Sequence, residues 1–299
     1  MSNVSVTYDS APVVEGRGRS LRHVVDVLRR DKLALGAVIV IVVFFLAALL
    51  APWIAPYPLQ GAGAPSPSTL TLPPSAQHLM GTDELGRDVF SRLLYGGKPT
   101  LIVPFIVVIL AVLIGAPLGA LAGFRGGWID RVIMRTTDLF LAFPSLLLAM
   151  AITAAIGPGL FHAALALVVS WWPWYTRLVR GEAARLRQRN FVDAARAMGV
   201  PSRTIVRRHI LPNTITPIVV QATVDLGIVI LAMGGLAFLG LGTQPPGADW
   251  GLMISEGRSS VLIYWWISTF PGIAMVIVVM AFNLLGDALR DVFDPRQYR

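Results

Sequence analysis

Six apolar stretches divide this chain, at residues 33–55, 99–123, 132–156, 160–175, 214–242 and 261–286. The first is about 23 residues long, and an α-helix crosses the ~30 Å hydrocarbon core of a bilayer in about 20. Lipid offers no partners to backbone N–H and C=O groups, so such segments have to satisfy them internally. The expected fold is therefore an all-α polytopic membrane protein with six transmembrane helices.

Composition agrees. Of 299 residues, 55% are hydrophobic and only 14% charged, where a soluble domain carries about 25%. The mean hydropathy is +0.67. A formal net charge of +8 on a soluble chain would suggest nucleic acid, but here the arginines cluster between the apolar stretches, where they report topology. The absence of cysteine excludes disulfides, thiolate metal sites and cysteine nucleophiles. The first 32 residues lack an early apolar core, so no cleavable signal peptide is expected.

The segments between the spans have distinct characters. Residues 1–32 form a polar N-terminal segment on the cytoplasmic side. Within it Leu21, Val24, Val25 and Leu28 share one helical face, an amphipathic pattern suited to the membrane surface with His23 toward the headgroups. Residues 33–98 hold the first span and an extracytoplasmic segment. Its helix at the interface buries Val89, Phe90, Leu93 and Leu94 and leaves Arg87, Asp88 and Arg92 polar. His78, Asp83, Glu84 and Asp88 are close in sequence, but their spacing positions no nucleophile or metal. The core of five spans covers 99–286, and a charged cytoplasmic tail follows at 287–299. Gly115, Gly119 and Gly123 recur every fourth residue, a pattern that lets helices approach closely in lipid. Pro144 is expected inside the third span, where neighbours tolerate it. Asp138 is expected to partner an arginine. Residues 252–256 are able to re-enter the assembly between the last two spans.

The stretch 190–217 is a basic island in this oily background. Asn190 is suited to cap a helix, with Asp193 favouring its positive end. Phe191, Ala194, Ala195 and Met198 then fall on one face. Gly199 suits a left-handed helix end, and Pro201 the first turn of a second helix. That helix carries Arg203, Arg207 and Arg208 before Pro212 interrupts it. The result is a small apolar knob bounded by arginines, better matched to a groove on another protein than to lipid.

Asp193-Ala194-Ala195, Gly199 and Leu211-Pro212 resemble the EAA loop of bacterial ABC importer permeases, with Asp in place of the commoner Glu and His209 in place of the commoner Ile. The run from His78 through Gly81-Thr82-Asp83, Gly86-Arg87-Asp88, Ser91-Arg92 and Tyr95-Gly96 is similar to the signature of the C-type permease of the dipeptide/oligopeptide/nickel branch. The resemblance implies the type I importer permease fold in a bacterial inner membrane, with loop 177–213 as a cytoplasmic coupling helix. Phe191, Asp193, Ala194, Ala195, Arg196, Met198, Gly199, His209, Leu211 and Pro212 would then face an ATPase. It implies as partners a B-type permease, two ATPase subunits and an extracytoplasmic substrate-binding protein. ATP and Mg would be held by the ATPases, with no cofactor on this chain, which has no G-x-x-x-x-G-K-[ST] sequence. Arginine-rich segments at 17–32, 125–135, 177–208 and 290–299 all fall on one side of a six-span chain, placing both termini in the cytoplasm.

Cargo contacts are expected from ionisable or polar residues deep in spans. Asp225 is the foremost, with pairing to a neighbouring helix as its alternative, and Asn283 follows. The expected role is a permease subunit, not an enzyme, importing di- or oligopeptides. Nickel or another small solute is the alternative within the branch, and a stand-alone secondary transporter is the alternative outside it.

Overall fold

The computed structural model describes residues 31–293. Most of the amphipathic segment expected at 20–32, with His23, lies outside the described residues, as does the end of the tail. Among the described residues the secondary structure is helical, apart from one isolated bridge between Thr82 and Asp88.

Helix α1 (Lys32–Leu49) is apolar all round. Asp31 caps it by accepting from the N–H groups of Leu33 and Ala34. Its small residues Ala34, Ala37 and Ala48 turn inward, while Val42, Val43 and Leu46 are exposed, as a lipid-facing surface requires. Residues 50–88 fold into a compact cap of turns at one end of the molecule. From it rises α2 (Val89–Arg125), a single helix of 37 residues, about 55 Å long at 1.5 Å per residue. The interfacial helix and the second span are thus one rod, whose ladder absorbs Pro99, Pro104 and Pro117.

The third stretch departs from expectation. It is two helices, α3 (Gly127–Leu141) and α4 (Ser145–Ile156), bent by 82° at the break. Pro144 has ψ 125°, an extended conformation, and begins α4 as its cap. Proline lacks an N–H, its ring collides with the carbonyl four residues back, and the preceding residue is driven from helical geometry. Here the chain yields to it, whereas in α2 it does not.

Helix α5 (Leu160–Arg187) runs on for twelve residues past Tyr175, where the fourth span was expected to end, so the first third of the stretch 177–213 is helical. Then come α6 (Asn190–Ala197), α7 (Ser202–Ile205), a π turn at Val206–Ile210 and α8 (Ile215–Phe238). Helix α9 (Trp250–Glu256) enters the assembly as expected, with Trp250 through Met253 buried, and α10 (Trp266–Phe293) closes the bundle, passing Pro271. Among the described residues four helices, α1, α2, α8 and α10, are long and apolar enough to cross a membrane, and the bent pair α3–α4, counted as one span, makes a fifth. The arginine-bearing α5 is not among them, so length and composition stop short of six.

The closest helix pairing is α2 with α5. A Cβ added at Gly115, Gly119 or Gly123 would run into the carbonyl oxygens of Trp172, Thr176 and Arg180 respectively. One face of α2 therefore lies directly on the α5 backbone, as the glycine spacing predicts. On its other contacts α2 buries Leu101, Val107, Val108 and Ala111 in the main core with Leu226, Val229 and Ile230 of α8.

Replacing Gly119 by Leu is expected to destabilise the purified protein by more than the ~1–3 kcal/mol of ordinary overpacking, because the obstacle is backbone. Gly181→Leu on α5, where an added Cβ meets nothing within 4 Å, should leave thermal stability near that of the parent. The comparison is read from detergent-solubilised melting curves.

Candidate functional site

The basic island is built on the end of the α2–α5 pair. Ala116, Ala120 and Phe124 of α2 and Val179, Ala183 and Leu186 of α5 form a buried cluster with Val192, Ala195, Ile205 and Ile210. Helix α6 is thus anchored by Val192 and Ala195, one turn apart. This corrects the expected face. Ala195 is 4% exposed and packs on its own subunit, while Phe191 (42%) and Met198 (76%) stand free with Ala194. The free row is Phe191, Ala194 and Met198, at i, i+3 and i+7. Val192 is the anchor that sequence reading passed over. Its i, i+3 spacing from Ala195 carried the signal.

Asn190 is not the cap. It is the first residue of α6, which follows an extended Arg189 with no side-chain cap. Asp193 instead reaches Arg196 at 3.4 Å, and Arg196 also lies over the Phe124 ring, 5.1 Å from its centre. Gly199 adopts φ +75° with nothing within 4 Å of an added Cβ, the left-handed turn expected of it. Pro201 caps α7 rather than entering its first turn. Pro212 does not stop the chain. The π turn before it is closed by the Leu211 N–H to the Val206 carbonyl, and this wider turn accommodates the ring. His209 lies in that turn with its ring 6.2 Å from that of Phe191, and Leu211 packs against the buried cluster.

Ion pairs tie the neighbouring helices to this platform. Arg180 of α5 grips Asp130 of α3 through two hydrogen bonds, at 2.7 and 3.1 Å. Arg177 reaches Asp138 at 2.6 Å, the partnership expected of that aspartate. The orientation of the broken helix is thereby set from α5.

Asp225 is 4% exposed in α8. Its Oδ1 accepts from Gln221 at 3.0 Å. Its Oδ2 and the Tyr175 hydroxyl of α5 are both buried without a well-aligned hydrogen-bond partner, and the two groups interact. Asp225 is thus enclosed by α5 and α8 of its own chain. Asn283 in α10 is half-buried and donates to the Val279 carbonyl at 3.0 Å. The structure does not bring these two expected path residues into direct contact.

At the opposite end, the cap holds a buried polar cluster. Asp83 accepts the Arg87 Nε at 2.7 Å, and Glu256 of α9 accepts both Arg87 and Arg92, at 3.1 and 3.0 Å. Arg87 and Arg92 are only 2% and 1% exposed, so two buried cations are balanced by the buried Asp83 and the partly exposed Glu256. Beside them His78 meets Asp88 at 2.9 Å and stacks on Tyr57. The other Asp88 oxygen caps α2 through the Ser91 N–H. Each acid that sequence proximity had grouped, except Glu84, is committed to an arginine, a histidine or a backbone amide. Glu256 is more than 160 residues away from its arginines in the chain, and no local pattern could reveal it. Asp249, buried, caps α9 and takes the Thr100 hydroxyl at 3.1 Å; burial pushes its carboxyl up from the usual range.

Residues 115–299 match the family described as the binding-protein-dependent transport system inner membrane component, and residues 21–74 match the N-terminal transmembrane domain of oligopeptide transport permease C. The chain belongs to this permease family. A probable D,D-dipeptide transport permease of Escherichia coli (strain K12) is 43% identical over 90% of this chain and 89% of its own. A dipeptide transport permease of Alkalihalophilus pseudofirmus is 43% identical over 90% and 88%, and a glutathione transport permease of Escherichia coli O6:K15:H31 is 42% identical over the same shares. The fold is also that of a chain in the inward-facing MetNI methionine ABC transporter, at TM-score 0.55 and 23% identity over 68% of this chain and 96% of that one. The permease is accordingly a multi-pass membrane protein and the membrane subunit of an ABC import system.

Removing one member of a buried charge cluster leaves its partners uncompensated, at about 3–5 kcal/mol. Asp83→Asn in this permease should therefore cost a large part of its stability. Asp193→Asn, an exposed pair, should cost at most about 1 kcal/mol. Both are measured as shifts in thermal unfolding.

Proposed function

We propose that this permease carries di- or oligopeptides inward, as half of a pathway completed by a second, B-type permease, and is driven by two cytoplasmic ATPases. The reading places the α6 end of the molecule in the cytoplasm with both termini. That side also carries Arg125, Arg131, Arg135 and the arginines of 177–208, in keeping with the positive-inside rule. Helix α5, despite its arginines, then serves as the sixth span. An extracytoplasmic binding protein delivers cargo at the cap side.

One observation carries the reading: α6 presents Phe191, Ala194 and Met198 outward while Val192 and Ala195 pin it to the α2–α5 seam. A row of exposed apolar side chains on a short, firmly seated helix is suited to a groove in a moving partner. Load applied there passes into two helices packed backbone to backbone. ATP and Mg belong to the partner, and this chain contributes docking, not hydrolysis. For the motion to be driven, the α6 row has to bind one ATPase state better than the other. His209 and Arg196 flank the row, and Gly199, Leu211 and Pro212 shape the limb behind it.

The peptide cargo is supported by relatives named for dipeptides, D,D-dipeptides and glutathione. The route runs along α8 and α10, with Asp225 acting through the half-exposed Gln221 it holds and Asn283 on the facing helix.

Phe191→Asp and Met198→Asp are each expected to lower the ATPase recovered with the complex at least about tenfold, the scale of an interface hot spot, at unchanged permease abundance in the membrane. Full co-purification with both variants would sink the docking assignment. Ala195→Arg should instead lower permease abundance itself. Asp225→Leu should reduce ATP-dependent peptide uptake in reconstituted vesicles more than it reduces assembly, and equal uptake would remove it from the route.

A further inference from the structure

Two hollows adjoin on the limb that follows α6. One, of about 300 Å³, is lined by Arg203, Thr204, Arg207 and Arg208. The other, of about 220 Å³, lies between α7 and the end of α2, lined by Pro117, Leu121, Phe124, Arg125, Ser202, Arg203 and Val206. Arg203 belongs to both. No carboxylate lines either hollow, and Arg203, Arg207 and Arg208 make no ion pair among the described residues. Arg177, Arg180, Arg185 and Arg196, by contrast, each have an acid within 3.4 Å. Three exposed cations around one hollow repel each other and are left without a counter-charge by the protein.

The second hollow supplies the other half of the chemistry. Its α2 wall, Pro117 and Leu121, continues through Leu113 as a ridge that is exposed among the described residues. Pro117 lies eight residues from the end of α2, about 12 Å deep along its axis. With the Arg125 end of α2 at the membrane surface, as the proposed orientation has it, that distance is on the scale at which headgroups give way to acyl chains. A cationic hollow that opens into an apolar slot at that depth is complementary to one kind of molecule.

We propose that this permease binds an anionic phospholipid of the inner leaflet here. Its phosphate is held by Arg203, Arg207 and Arg208, and the start of one acyl chain lies in the slot between α2 and α7. Basic pockets beside spanning helices on the cytoplasmic side take acidic headgroups by this combination. The site goes beyond the proposed transport role and rests on it only for which leaflet is meant. Because Arg203–Arg208 lead directly from the docking helix into α8, bound lipid would brace that limb against the membrane.

The whole complex, with its ATPases, is purified in mild detergent, and bound phospholipid is quantified by mass spectrometry. The triple substitution Arg203→Gln, Arg207→Gln, Arg208→Gln is expected to lower co-purified anionic phospholipid at least fivefold, with ATPase recovery unchanged. Leu121→Trp, which fills the slot without altering charge, should lower it similarly. Millimolar inorganic phosphate should not displace the lipid from the parent complex. Retention of anionic lipid by the triple variant overturns the proposal. So does loss of the ATPase in place of lipid, which would make the arginines part of the docking surface. Displacement by phosphate alone, or equal loss of zwitterionic lipid, overturns it as well. Failure of the docking assignment is read separately, from Phe191→Asp and Met198→Asp.

Discussion

The contact on which the rest depends is the backbone approach of α2 to α5. Gly115, Gly119 and Gly123 lie against the carbonyls of Trp172, Thr176 and Arg180, and in lipid such close packing substitutes for the hydrophobic drive that water would supply. The cluster that seats α6 runs alongside this seam, with Ala116, Ala120 and Phe124 on one helix and Val179, Ala183 and Leu186 on the other. Arg177 and Arg180, next along α5, fix the broken helix α3 through Asp138 and Asp130. Loosening the seam would therefore disturb the outward row on α6 and the bend of α3–α4 together, although neither contains a glycine of the stripe.

The far end of α2 is held by charge rather than by close packing. Arg87, at the end of the cap, and Arg92, in the first turn of α2, share Glu256 of α9, and Asp83 closes the set. Burial of ions is costly, and such a cluster contributes little net stability over an apolar one, but it is intolerant of losing a member. Its effect here is positional. It joins residues far apart in sequence at one place and fixes the start of α2 relative to the entering helix α9, where Trp250 also donates to the Leu93 carbonyl.

Much of this was legible in the chain. Apolar length announced the spans, the four-residue glycine repeat announced the seam, and Gly199 announced its left-handed turn. Other features escaped for physical reasons. Pro99, Pro104, Pro117, Pro173 and Pro271 lie inside helices that run through them, whereas the chain breaks at Pro144, a choice made by surrounding packing and not by the residue. Periodicity grouped Phe191, Ala194, Ala195 and Met198 on a face without telling which edge is covered. The anchor proved to be Val192 with Ala195, so the exposed row is displaced around the helix. Arginines after Tyr175 suggested the end of a span, yet a helix continues through polar sequence as readily as apolar once nucleated. The Glu256 bridge has no local signature at all.

The unbroken course of α2 has a geometric consequence. A stiff shaft about 55 Å long converts small rotations into large travel: a tilt of about 5° about one end displaces the other by about 5 Å. The buried arginines sit at one extremity and the seat of α6 at the other. With the first acting as a pivot, a displacement as small as one helical turn at the second corresponds to a barely perceptible lean of the shaft. A lean of that size would carry α6 through such an arc without unpacking a single turn of the rod beneath it.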